Sequence, residues 1–293
     1  MVTDKMKVLV TGAKGQLGSE IVVEAARRGH NVVGVDKDEL DITDKENVEK
    51  ALAKIAPDCV IHCAGWTAVD AAEDNERAVT DINVNGTEYI AKACKDIDAK
   101  MIYISTDYVF NGHGEAPHSA DSVDFKPQNV YGKTKLEGEK VVARILDKYY
   151  IVRIAWLFGV HGKNFVTTML KLADTHDSLR VVSDQIGTPT YAADLAEVLV
   201  DMAEADKYGY YNVTNEGGFI SWAEFAQEIF KQAKRKTKVV PVTTKEYGMS
   251  KAVRPHNSRL DKSKLTENGF KRLPTWQDAL SRYLKEIGSN GTN

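Results

Sequence analysis

Tyr131 and Lys135 stand four residues apart in "VYGKTKLEGE", just after a loop that contains Pro127. On a helix, residues i and i+4 share one face, so a phenol and an ammonium here point the same way. Most such pairs are surface packing of an aromatic ring against a lysine stem. They become chemistry when a neighbour needs a proton. A hydride delivered to a ketone builds negative charge on the carbonyl oxygen, and a tyrosine can supply the proton that this oxygen takes up. The ordinary phenol pKa of about 10 is high for exchange at neutral pH. A lysine one turn away, with a cationic coenzyme ring nearby in the oxidised state, is expected to favour the phenolate and lower that pKa. Thr106, closing the strand-like run "KMIYIST", adds a hydroxyl that could polarise the same oxygen.

A hydride chemistry needs a place for its donor. "TGAKGQLG" (11–18) places Gly12, Gly15 and Gly18 between a first strand and a first helix. Glycines there allow a tight turn and close approach of backbone to a pyrophosphate. The helix opens at Gln16 and Leu17, whose amides and dipole would face the anion. Asp36 ends the second strand at the distance expected of a ribose-binding acid, about 20 residues on. It favours NADH, whereas Lys37 and Lys14 could offset the 2′-phosphate of NADPH. Both lysines are equally readable as solvated surface charge, so NADH and NADPH stay open. Asp41 and Ile42 in "LDIT" are expected in the adenine cleft, and Ala64 and Gly65 in "CAGWT" where a coenzyme passes closely.

Those residues must be positioned by a frame, and the chain alternates strand and helix from the start. "KVLV", "NVVGV", "CVIHCAG", "KMIYIST" and "YIVRIAWLF" (150–158) read as strands with amphipathic helices between them. That pattern predicts an α/β fold, a doubly wound parallel sheet of the Rossmann type, with a smaller C-terminal α/β substrate lobe. Residues 1–160 plus about 190–215 are assigned to the dinucleotide-binding domain, and 161–189 plus 216–293 to the lobe. Capping boxes are expected at Thr43/Glu46 and Ser221/Glu224. A single long helix is expected from Arg77 to Ile97.

The 293 residues are 43% hydrophobic and 28% charged, with a formal charge of −3. This balance gives no case for nucleic acid or an anionic membrane as partner. No apolar run approaches the roughly 20 residues of a membrane span. The opening residues read straight into a strand without a secretory leader, so a cytoplasmic protein is expected. Cys59, Cys63 and Cys94 are read as reduced structural thiols, the first two on one strand face with His62 opposite. No metal-ligand spacing is present, so no metal is expected.

Taken with "WTAVDAAE", "STDYVFNG", "RIAWLFG", "DQIGTPT" and "RPHNSRLD", these motifs resemble the extended short-chain dehydrogenase/reductases, and within them the dTDP-4-dehydrorhamnose reductase family. The resemblance runs from residue 11 to residue 261. It implies Thr106, Tyr131 and Lys135 as a catalytic triad, and Asp107, Trp156 and Arg254 as substrate contacts. It implies NAD(P)H-dependent reduction of the C4 ketone of dTDP-4-dehydro-L-rhamnose. Alternatives are another nucleotide-sugar 4-ketoreductase or epimerase, or a non-catalytic NADP-binding regulatory subunit. Related dehydratases follow this threonine with Asp-Glu. Here Asp107 is followed by Tyr108, which suits reduction better than elimination. The tail "KEIGSNGTN" matches nothing in the family, and the assembly is left open.

Overall fold

A computed structural model describes residues 5–290. Residues 1–4 and 291–293, parts of the opening and tail stretches read above, lie outside that range. The first half runs β1 (Lys7–Thr11), α1 (Gln16–Arg27), β2 (Asn31–Val35), α2 (Lys45–Ile55), β3 (Cys59–His62), α3 (Val69–Ala72), α4 (Glu76–Thr80), α5 (Thr87–Asp96), β4 (Lys100–Thr106), α6 (Val130–Ile145) and β5 (Tyr149–Ile154). These five strands and Gly209–Asn212 form one six-stranded parallel sheet, ordered β2, β1, β3, β4, β5, Gly209–Asn212. Parallel strands are covered on both faces and so are apolar throughout. Val10, Ile61 and Val152 face α1 and the helix Ala192–Glu204. Leu9, Val60 and Met101 face α2, α5 and α6.

From β1 the chain steps out to β2, then returns past β1 to β3. The crevice at the carboxyl ends of β1 and β3 is therefore the switch point at which such sheets bind ligands. Register keeps the rim level, with Thr11 opposite Val35 and His62, and Thr106 opposite Ile154. A second core gathers Phe158, Val166, Phe225, Ile229 and Tyr283 around three helices, Phe165–Ala173, Trp222–Gln232 and Trp276–Asn290. There the Ser221/Glu224 capping box forms.

Three local expectations are corrected. Thr43 does not cap α2. Its hydroxyl donates to Asp41 at 2.7 Å, and Asp44 accepts from the Asn47 amide instead. The helix starts one residue later than expected, so Asp44 stands at the capping position and the Thr43 hydroxyl turns back to Asp41. The helix after residue 76 is not uniform, because α4 and α5 are joined by a π-helical stretch, Asp81–Gly86. The strand expected over 150–158 breaks: β5 stops at Ile154, Trp156 takes φ +51°, and Leu157–Phe158 pairs with Thr190–Tyr191.

Behind the rim lies a buried ion pair. Arg153 in β5 donates through Nε (2.9 Å) and Nη2 (2.7 Å) to Glu139 in α6, and each side chain is 1% exposed. The Ser105 hydroxyl in β4 donates to the same carboxylate at 2.5 Å. Removing one partner of such a pair strands the other charge in a dry interior. Glu139→Gln is expected to cost about 3–5 kcal/mol in denaturant-induced unfolding. A loss under about 1 kcal/mol would contradict that account of the pair.

Candidate active site

β1 ends at Thr11, and the chain turns at once through Gly12 at φ +67°. A Cβ on Gly12 would lie 2.8 Å from the Ala64 amide nitrogen, and one on Gly18 would collide with the Gly12 carbonyl oxygen. The turn is thus wedged between the end of β3 and the first turn of α1. The N-cap of α1 is Gly15, which offers no side chain to the first-turn amides of Gln16 and Leu17. Those amides and the helix dipole are left for an anion. The Thr11 hydroxyl bonds His62 Nδ1 (2.7 Å) and accepts from the Ala64 amide (3.2 Å), so the Ala64–Gly65 turn is tied to the glycine turn. Burial lowers the His62 pKa to about 3 and keeps the ring neutral.

At the end of β2, the Asp36 carboxylate accepts from the amides of Lys14 (3.0 Å) and Lys37 (2.8 Å). Asp41 accepts from the hydroxyl and amide of Thr43, bonds that hold its carboxyl below the usual range. Ile42 is buried against Gly86, where a Cβ would come within 2.9 Å. A glycine turn, an uncapped helix start and a carboxylate at the next strand end fit a dinucleotide.

The other end is set by α6. Asn129 caps it, accepting from the Gly132 amide (2.7 Å) and donating to the Val253 carbonyl (2.8 Å). Glu73 accepts from the Val130 amide at 2.8 Å. Tyr131 falls in the first turn, its ring edge-on to Tyr108 at 5.5 Å between centroids. Lys135 is buried one turn later, with Nζ 4.0 Å above the centre of the Tyr103 ring. The Thr106 hydroxyl accepts from the Tyr108 amide (3.2 Å) and donates to Asp107 (3.0 Å).

Burial pushes the Tyr131 phenol up to about 12, against a smaller pull from the Thr106 hydroxyl. Burial also brings Lys135 down to about 7, opposed by the charge of Glu139. The expectation that Lys135 lowers the Tyr131 pKa is therefore corrected, because desolvation governs both groups and the ammonium faces the Tyr103 ring. The phenol holds its proton at neutral pH, as a proton donor must. Of the residues singled out in the sequence for coenzyme or substrate, all but Lys14 line one cleft of about 890 Å³, from Gly12 and Asp36 to Tyr131, Trp156 and Arg254.

The family model described as "RmlD substrate binding domain" matches residues 6–289. A dTDP-4-dehydrorhamnose reductase of Streptomyces griseus is 40% identical over 93% of this chain and 91% of its own length. The chain belongs to the dTDP-4-dehydrorhamnose reductase family. Another relative, the spore coat polysaccharide biosynthesis protein SpsK of Bacillus subtilis, is 41% identical over 97% of this chain and 98% of its own. Among solved structures, the dTDP-4-dehydrorhamnose reductase from Bacillus anthracis in complex with NADP superposes with a TM-score of 0.93. It is 40% identical, covering 96% of this chain and 99% of that one.

Within this member of the family, the far wall of the cleft holds residues that sequence reading missed. Trp156 lies face to face with Trp222, centroids 3.7 Å apart and planes 15° apart, and Phe165 packs beside Trp222 at 4.6 Å. Trp222 sits directly after the Ser221 cap, a position that signals a helix start and nothing about a ligand. Arg254 makes a two-pronged bond to Asp70 (3.0 and 2.7 Å), and the amides of Lys251 and Ala252 donate to the same carboxylate. The Arg254 bond is the main reason that the Asp70 pKa falls to about 2. Asn83, in the π-helical stretch, accepts from the Trp66 amide and donates to Thr134 of α6. No sequence signal marked it. Among the described residues no group of three or more His, Cys, Asp or Glu side chains is placed to hold a metal, and no helix is long and apolar enough to cross a membrane. The three cysteines are free thiols, and burial pushes Cys59 and Cys63 up to about 12.

Asp107 lines the cleft at the end of β4. It is buried, and among the described residues its Oδ2 has no hydrogen-bond partner. Burial raises its pKa to about 6, against weaker pulls from the Ser258 and Thr106 hydroxyls. A raised folded-state pKa means stability that is present below the ordinary carboxyl pKa of about 4 and lost as pH rises through about 6. Wild type is therefore expected to lose stability relative to Asp107→Asn between about pH 4 and pH 6, measured by denaturant unfolding at each pH. A difference that stays constant across that window would contradict the assignment.

Proposed function

We propose that this chain reduces the C4 ketone of dTDP-4-dehydro-L-rhamnose to dTDP-L-rhamnose, using NADPH or NADH. The observation that carries this reading is a single cleft whose wall joins an uncapped glycine turn to Thr106, Tyr131 and Lys135. The resemblance of the whole chain to reductases of this specificity supports the choice of sugar. The dinucleotide domain comprises residues 1–160 and about 190–215, and the remainder forms the substrate lobe. The enzyme works in the cytoplasm on a small-molecule substrate.

NAD(P)H, when bound, supplies the hydride. Gly12, Gly15 and Gly18 admit its pyrophosphate to the amides of Gln16 and Leu17. Asp36 receives the adenosine ribose, with Lys37 beside it, and Asp41 and Ile42 flank the adenine. Ala64 and Gly65 leave room for the chain of the coenzyme to pass. Tyr131 gives its proton to the ketone oxygen, and the Thr106 hydroxyl hydrogen-bonds that oxygen as charge develops on it. Lys135 holds the nicotinamide ribose. Asp107 and Trp156 hold the sugar. Arg254, its fork braced by Asp70, lends positive charge to the diphosphate from the cleft wall. Tyr108 stands where an elimination would need a second carboxylate, so reduction is the chemistry that these side chains serve.

Tyr131→Phe is expected to lower turnover about 10²–10⁴-fold, the size of general acid help, while coenzyme binding is retained. The assay follows NADH or NADPH absorbance with dTDP-4-dehydrorhamnose beside other ketosugar nucleotides. Wild-type turnover in the Phe variant would remove Tyr131 as proton donor. Failure of every ketosugar to oxidise either coenzyme would remove the reductase reading.

A further inference from the structure

We propose that Glu39 sets the discrimination between NADPH and NADH by holding Lys14 away from the ribose 2′ position. The inference rests on reading the cleft as an NAD(P)H site. The two coenzymes differ only at that position, and the carboxylate at the end of the second strand is the group that meets it. Here it is Asp36, and two other side chains are built around it. The Lys14 amide donates to Asp36 Oδ2 at 3.0 Å, and the Asp36 amide donates to Glu39 Oε2 at 3.0 Å. Lys14, Asp36 and Glu39 are thus each one hydrogen bond from the next.

Lys14 stands inside the glycine turn, the natural place for a cation that greets a phosphate. Its ammonium is turned to Glu39 Oε1 at 2.8 Å, with Asp38 at 3.8 Å. Lys37 lines the cleft, whereas the Lys14 side chain is engaged outside it. A 2′-phosphate brings a charge of about −1.5 to −2. To be neutralised by Lys14 it must draw the ammonium from Glu39, and it must do so beside the uncompensated Glu39 carboxylate. A 2′-hydroxyl asks only for an acceptor, which Asp36 already provides. Glu39 therefore penalises one coenzyme and leaves the other untouched. The pair is solvent-exposed, at 61% for Lys14 and 47% for Glu39, so exchange of the ammonium between partners is readily reversible.

Coenzyme binding is measured directly, by titrating NADPH and NADH fluorescence without sugar nucleotide, in wild type, Glu39→Gln, Lys14→Met and the double variant. Glutamine keeps an acceptor for the Asp36 amide and removes the charge. Glu39→Gln is expected to raise the NADPH-to-NADH affinity ratio about fivefold or more, at the upper end for an exposed pair. The shift should shrink as salt is added. In the Lys14→Met background the same substitution should move the ratio less than it does with Lys14 present. The proposal is overturned if Glu39→Gln moves the ratio by less than about twofold, within the range of pairs that contribute nothing. It is also overturned if an equal shift appears without Lys14, since charge removal alone would then explain it. Wild type that bound neither coenzyme would remove the NAD(P)H reading as well, whereas normal binding with an unmoved ratio would remove only the role of Glu39.

Discussion

The Glu139 carboxylate, in the middle of α6, takes hydrogen bonds from Ser105 in β4 and from two nitrogens of Arg153 in β5. Lys135 lies one helical turn before it, and Thr106 is the next residue after Ser105. The relation between the helix that carries the phenol and the strand end that carries the hydroxyl is therefore held by charge-assisted bonds in a dry interior. Arg153 extends the clamp through Nη1 to the Ala120 carbonyl, and its guanidinium lies 4.9 Å from Phe110, 5.1 Å from Phe125 and 4.8 Å from Tyr210, measured to ring centres. Such a pair adds little net stability over apolar packing of the same volume. What it supplies here is alignment, because any slip of α6 along the sheet would leave an ion without its counter-ion.

The two ends of the cleft differ in their treatment of charge. Around the glycine turn, Lys14, Asp38 and Glu39 are hydrated and paired at the surface. Around Tyr131 the side chains are set deeper, and Asp107, Lys135 and the phenol are all driven towards their neutral forms by burial. Exposed charge and buried titratable groups are thereby separated along one cleft. Fixed dipoles act strongly where the dielectric is low, and exposed charges are screened by solvent at the other end.

Local pattern made much of this legible. The run "KMIYIST" ends at Thr106 in the sequence and in β4 alike, because a polar residue after an unbroken apolar stretch marks a parallel strand leaving its sheet. Alternation of strands and helices predicted the doubly wound sheet, and the glycine spacing predicted the tight turn between β1 and α1. Illegible features depend on partners far along the chain or on competition between near neighbours. Nothing next to Arg153 announces Glu139, and nothing near Trp222 announces Trp156. The displaced cap at Asp44 turned on which of two adjacent residues stands at the start of the helix. The strand break at Trp156 and the π-helical stretch around Asn83 each insert an irregular backbone into a periodic pattern, and irregularities of this sort collect at ligand sites.

The left-handed backbone at Trp156 has a structural consequence. The polypeptide leaves the six-stranded sheet at Ile154 and joins the smaller pairing with Thr190–Tyr191 at Leu157, so the crossing is made within a residue or two of an indole that forms part of the cleft wall. The same indole is stacked on Trp222, so the passage of the chain from one sheet to the other and this stretch of the wall are built from the same few residues.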